Sequence, residues 1–202
     1  MSGRGDGAPT ERLHHVGEGG EPGRIEPRRL NDGSGVWKGR IRLANAPKES
    51  TVIPIASFVN SLKPVLGSPY FRQLTEDNQI KMLDAYWSAI REIMRPAFAT
   101  DDAEDYALTK GVGVIAMHTL FVEVVEHIRA SHNSVFDVDA YRDILRPVLE
   151  DLEGDNAEGE VVAGIDFWAV GGTGAAGSFS SSAGRRVLLA KLRSRLPELD
   201  IQ

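Results

Sequence analysis

Hydrophobic and polar positions alternate from Val36 onward and then settle into helical spacing. Trp37, Gly39, Ile41 and Leu43 interleave with Lys38, Arg40 and Arg42, a period of two that predicts a half-buried strand with one basic face. Residues 52–55 predict a second short strand, held to an edge or a strand end because Pro54 has no N–H to give a ladder. Ser57 is placed to cap a segment reaching about residue 66, with Pro64 as a kink or early stop. Beyond it Thr75 has the grammar of an N-cap, and Glu76 and Asp77 complement the helix dipole. Ile80, Leu83, Tyr86, Trp87, Ile90 and Ile93 follow on one stripe, which ends before Pro96.

The spacing predicts a third helix over 102–129, with a break near 111–113. Its second half is apolar nearly all round, which predicts a place at the centre of a bundle. A fourth starts at 137–139 and carries Val138, Tyr141, Ile144, Leu145, Val148 and Leu152, with Pro147 bending it. An acidic loop over 151–160, an apolar run over 161–170, a Gly/Ser-rich stretch over 171–182 and a basic helix over 184–196 complete the pattern. The predicted fold is α+β and predominantly α-helical, a helical bundle with a short N-terminal β segment.

Residues 1–34 mix Gly, Pro, Arg and Glu with scarcely an aliphatic side chain, which predicts a disordered tail ahead of one helix-rich domain at 35–202. The Arg4-Gly5-Asp6 triplet in that tail is a chance match to an integrin-recognition tripeptide. With 202 residues, a core can be buried without a disulfide or metal staple. The absence of cysteine removes thiol nucleophiles and disulfide scaffolds, and fits a reducing cytoplasm. No apolar leader stands in the first thirty residues. The run 112–125 is interrupted by His118, Thr119 and Glu123 and falls short of the ~20 residues a bilayer needs, so a core helix and no membrane partner are expected. The net charge of -6 is uneven, because residues 1–48 hold nine Lys/Arg against six Asp/Glu, leaving an acidic remainder. That lowers the prior for a general DNA coat, but a local basic face can still supply phosphate contacts.

Candidate chemistry is sparse. Gly172-Thr173-Gly174-Ala175-Ala176-Gly177 satisfies the G-x-G-x-x-G spacing, yet Ser178 to Ser182 intervene before the next helix, which argues against a dinucleotide-binding turn. No Gly-Lys-Ser/Thr follows, so it is not a P-loop either. As a looser phosphate loop, the backbone N–H groups around Gly172, Gly174, Gly177, Ser180 and Ser181 precede a helix carrying Arg185 and Arg186. Glu123, Glu126, His127 and His118 share one helix but lack the paired Glu-x-x-His of a di-metal bundle, so no metal and no other cofactor is expected. The five His residues, with Ser131, Ser134 and the aspartates, form no recognisable nucleophile set, and no catalytic residue is assigned. Basic side chains carry the main candidate site: Lys38, Arg40 and Arg42 on the strand, with Arg185, Arg186, Lys191 and Arg193, and Arg195 beyond them, on the last helix. Together they would form a phosphate-binding surface.

Several segments in this order resemble the C-terminal half of DGQHR-domain proteins, the group that includes the DndB-like proteins of bacterial DNA phosphorothioation loci. They are Ser34-Gly35-Val36-Trp37-Lys38-Gly39-Arg40-Ile41, Met82-Leu83-Asp84-Ala85-Tyr86-Trp87-Ser88-Ala89-Ile90, Leu108-Thr109-Lys110-Gly111-Val112-Gly113, and Phe167-Trp168 with its Gly-rich loop and helix. The resemblance covers about residues 34–196 and rests on order and spacing. The Asp-Gly-Gln-His-Arg motif that names the family does not occur here. In relatives it lies upstream, in a part resembling the ParB-like fold, so the chain resembles a severed or separately encoded tail. The resemblance implies a bacterial or phage protein of DNA modification or defence, with DNA or a protein as partner. A non-enzymatic accessory or regulatory domain contacting DNA is therefore expected. The alternatives are an interaction module completing a DGQHR-bearing chain or a second copy of itself, and an enzyme acting on a nucleotide or nucleic acid through the 172–182 loop.

Overall fold

A computed structural model of the chain describes residues 25–43, 52–99 and 103–198. Helices dominate, and each of the two small sheets has only two strands. The order is α1 (Pro27–Asp32), β1 (Ile41–Arg42), β2 (Ile53–Pro54), α2 (Ile55–Ser61), α3 (Lys63–Gly67), α4 (Pro69–Arg72), α5 (Glu76–Ile93), α6 (Gly111–Ala130), α7 (Val138–Glu150), β3 (Glu153–Asp155), β4 (Val161–Ala163), α8 (Gly164–Phe167) and α9 (Ser182–Arg193). Short 3-10 turns occupy Arg95–Phe98, Ala103–Asp105 and Ala176–Phe179. The fold is α+β and predominantly α-helical.

Three helix starts follow their side chains. Thr75 accepts a hydrogen bond from the Asn78 N–H at 3.4 Å and opens α5, Asp137 accepts from Asp139 N–H at 3.0 Å and opens α7, and Ser181 accepts from Gly184 N–H at 2.9 Å and opens α9. α6 is enclosed, with Val114, Met117, Leu120, Phe121, Val124 and Ile128 buried against α2, α3, α7 and α9. It is the bundle centre that its all-round apolarity predicts. At 20 residues it is longer than the 112–125 run, and by length and composition alone it could cross a bilayer. Here most of its residues face protein. α5 and α7 pack side by side, with the Tyr86 and Tyr141 rings 5.6 Å apart. The Tyr86 hydroxyl donates to Met117 O at 2.8 Å and ties α5 to α6.

Several expected boundaries move. The part of the expected disordered tail that is described is ordered: Pro27 sits in the first turn of α1, and Ile25 and Leu30 are buried in the core. Residues 1–24 lie outside the described residues. The segment expected to begin at Ser57 begins at Ile55, directly after Pro54, and divides ahead of Pro64, which sits in the first turn of α3 where a missing N–H costs nothing. The third helix starts at Gly111 rather than 102, and residues 103–105 form a 3-10 turn. The acidic loop is an antiparallel hairpin pairing Glu153 with Ala163 and Asp155 with Val161. α9 runs from Ser182 to Arg193 instead of 184–196.

The largest correction falls on the basic strand. Residues 36–40 form turns, and extended pairing survives only at Ile41 and Arg42, which lie parallel to Ile53 and Pro54. Val36 and Trp37 are both buried, which a two-residue period does not allow, and Gly39 turns the chain with φ of 68° while its N–H donates to Asn31 O at 2.9 Å. Trp37 packs edge-on to Phe58 and Trp87, each at 4.8 Å, so burial of this ring sets the local backbone.

Candidate functional site

The buried polar chemistry of the bundle centres on His118 of α6. Its Nε2 accepts from the Trp87 indole N–H at 3.0 Å, and its Nδ1 lies 2.8 Å from Ser61 Oγ. Because an indole only donates, Nε2 is the bare nitrogen and Nδ1 carries the proton, donating to Ser61 Oγ. The Ser61 hydroxyl in turn donates to Phe58 O at 2.6 Å. Both imidazole nitrogens are thus engaged in a neutral ring, and complete burial pushes its pKa down to about 3. The ring is closed off from solvent, so this histidine holds α5, α6 and α2 together and is not available to a substrate. Its helix neighbour Glu123 is taken by Arg193. Among the described residues no group of three or more His, Asp or Glu side chains is placed to hold a metal ion.

The eight basic residues singled out in the sequence do not form one surface. On α9, Arg193 closes a fork on Glu123, with Nε 2.8 Å from both carboxylate oxygens, and this pairing holds its pKa above the usual guanidinium value. Lys191 donates to Glu153 O at 3.3 Å, and Arg195 donates to Asp151 O at 2.8 Å. Arg185 turns back to Ser180 O at 2.7 Å, while Arg186 is exposed. Lys191 and Arg193, and Arg195 just beyond the helix, therefore fasten α9 to α6 and to the segment around β3. Lys38 is exposed and Arg42 half-buried.

Arg40 behaves differently from both groups. Half-buried, it donates to Phe98 O at 2.6 Å, and its guanidinium carbon lies 5.7 Å from the Phe98 ring centroid. Burial, and then the nearby positive charge of Arg91, lower its pKa. Phe98 also lines a shallow recess of about 270 Å³ with Arg91, Glu92, Arg95 and Ala99. The recess is built where α5 ends: Arg91 occupies its last turn and Arg95 opens the following 3-10 turn. Glu92, the one carboxylate among the lining residues, binds Arg142 of α7 at 2.9 Å. Asp84, seven residues before Arg91 on α5, is pressed against Gly35, and its Oδ1 is buried without a hydrogen-bond partner among the described residues. Burial raises the Asp84 pKa, which the Arg91 charge partly opposes. Arg91 and Arg95 thus line the recess, with the Arg40 guanidinium over the Phe98 ring beside it.

Sequence pattern alone missed Arg91 and Arg95. Their signal was a pair of like charges four residues apart at the end of α5, which reads equally well as ordinary complement to the helix dipole. The link to Arg40 crosses more than fifty residues of chain, and no local periodicity reports it.

The Gly-rich loop lines a different cavity, a cleft of about 430 Å³ between the β3–β4 hairpin and residues 169–178. Gly172, Gly174 and Gly177 all border it, together with alanines and Asp155. Ser180 and Ser181 are elsewhere: the Ser180 carbonyl receives Arg185 and the Ser181 hydroxyl caps α9. Gly174 lies against the backbone of Asp166 and Ala169, and residues 176–179 make a 3-10 turn, so no strand-turn-helix unit forms around the glycines. Among the described residues no lysine or arginine borders the cleft, and Asp155 opposes an anion there.

Comparison with protein-family models, with curated proteins and with solved structures gives no match.

Proposed function

We propose that this protein is a non-enzymatic accessory domain that contacts nucleic acid, in the setting of bacterial or phage DNA modification and defence that its resemblance to the DGQHR group implies, and that it works in the cytoplasm. The contact surface is the side of the bundle where the turn bearing Lys38, Arg40 and Arg42 meets the end of α5, rather than α9. The observation that carries this reading is the gathering of Arg40, Arg91 and Arg95 around Phe98, with the one lining carboxylate bound elsewhere. Arg91 and Arg95, without a carboxylate partner among the described residues, give a local positive field suited to phosphate on a chain of net charge -6.

Fluorescence-anisotropy titration of labelled duplex and single-stranded DNA at about 50 and about 200 mM salt tests it, since each phosphate contact contributes roughly 0.7–0.9 to the salt slope. Affinity is expected to fall steeply with salt, and Arg91→Glu combined with Arg95→Glu is expected to lower the slope by about two. A salt-independent signal, or a slope that the double variant leaves unchanged, overturns the proposal and favours the interaction module that completes a DGQHR-bearing chain.

A further inference from the structure

The same recess has a charge and a size that single out one kind of phosphate. Arg40 is pinned by its bond to Phe98 O, which uses one of the five N–H donors of a guanidinium and leaves the others in a fixed orientation. Arg91 in the last turn of α5 and Arg95 in the 3-10 turn after it are not paired to a carboxylate among the described residues. Glu92, which lines the recess, is paired to Arg142, and the Asp84 carboxyl, held against Gly35, is biased toward its neutral form by burial.

The two guanidinium charges lining the recess, with Arg40 beside it on the Phe98 ring, exceed what a backbone phosphodiester, with its single negative charge, can balance. A phosphomonoester carries about 1.5 to 2 negative charges near neutral pH and offers three strong acceptor oxygens. The volume, about 270 Å³, lies just below the ~300–1,000 Å³ of pockets that enclose whole small molecules, and suits a head group whose remainder stays in solvent. We propose that the recess lined by Arg91, Arg95 and Phe98, with Arg40 over the Phe98 ring beside it, seats a phosphomonoester dianion, the terminal phosphate of a nucleic-acid strand, in preference to the diesters along it. This inference rests on the nucleic-acid reading for the strand, whereas the phosphate seat stands on the recess alone.

The test compares one single-stranded oligonucleotide with a 5′-phosphate, with a 3′-phosphate and with hydroxyls at both ends, alongside thermal unfolding with inorganic phosphate and with a nucleoside 5′-monophosphate. Wild-type protein is expected to bind at least one terminally phosphorylated strand about tenfold more tightly than the dephosphorylated strand, the return from one added charge-assisted contact. Arg91→Gln with Arg95→Gln, both exposed in the fold, is expected to remove that preference, while Arg186→Gln on α9 leaves it intact. Unfolding curves establish that each variant is folded. Equal binding of all three strands by wild type overturns the proposal, and so does a preference that survives the double variant. If no strand binds but inorganic phosphate or the monophosphate raises the melting temperature of wild type and not of the double variant, the seat stands and the nucleic-acid reading fails, leaving a free phosphomonoester as the ligand. If neither strands nor phosphate act, both fail.

Discussion

At the scale of single residues, the polar groups that look chemically interesting divide into those the core consumes and those it leaves facing solvent. His118 belongs to the first kind, and its neutrality has a measurable consequence. In the unfolded chain it titrates near 6.5, while in the fold it stays unprotonated down to about pH 3. Below pH 6.5 the unfolded state therefore binds the extra proton, and stability falls as pH falls. That loss should reach about 2 kcal/mol between pH 7.5 and pH 5 in urea unfolding. Asp84, raised by burial, acts in the opposite sense, so the comparison is made against His118→Gln, which is expected to be less stable at neutral pH yet to lack this part of the acid slope. An identical slope in the variant would show that His118 is not the group responsible. Gly35 supplies a second residue-scale test. A methyl group at this position would overlap the Asp84 carboxylate, so Gly35→Ala is expected to destabilise by about 1–3 kcal/mol. The same change in an Asp84→Ala background should cost measurably less, because the obstructing group is gone. Equal costs in the two backgrounds would disprove the close approach.

At the scale of elements, α9 shows how a sequence of strong basic character can be structural. Its apolar residues Leu188 and Leu192 are buried, and Lys191, Arg193 and Arg195 reach carbonyl or carboxylate oxygens of α6 and the β3 hairpin. The Arg193–Glu123 pair is substantially exposed, with side-chain exposures of 47% and 31%, which limits its worth to about 1 kcal/mol or less. Arg193→Ala is accordingly expected to lower stability by no more than about 1 kcal/mol and to leave the salt slope of DNA binding unchanged. A reduced slope would place α9 back in the interface. α5 was far more legible: Thr75, the acidic first turn, the apolar stripe and the stop before Pro96 each correspond to a feature of the helix observed at Glu76–Ile93. α5 is clear because capping and amphipathic periodicity are local properties. The 36–43 segment misled for the complementary reason, since its alternation is real in composition but burial of adjacent Val36 and Trp37 overrides it.

At the scale of the whole molecule, α6 organises everything else. The helices around it bring the turn at 36–40 onto the end of α5, and this assembly, not any one element, creates the recess at Phe98. It also separates the two regions that the sequence suggested as anion sites. The glycine-lined cleft lies beside Asp155 and holds no cation, whereas the guanidinium groups gather around Phe98. Any phosphate contact is therefore expected on one side only, which is why the α5-end variants and the α9 variants should separate cleanly in the titrations.

Caps, dipole complements and apolar periodicity act within a turn or two of helix, so the predominantly helical class, the start of α5 at Thr75, a start of α7 at 137–139 and the central place of α6 are legible in the residues alone. Only the tertiary structure decided which charges remain available. Arg193 meets Glu123 across 70 residues and Arg40 meets Phe98 across 58, and whether a guanidinium ends as a clamp or as part of a cationic recess depends on the partners that packing brings within hydrogen-bond reach.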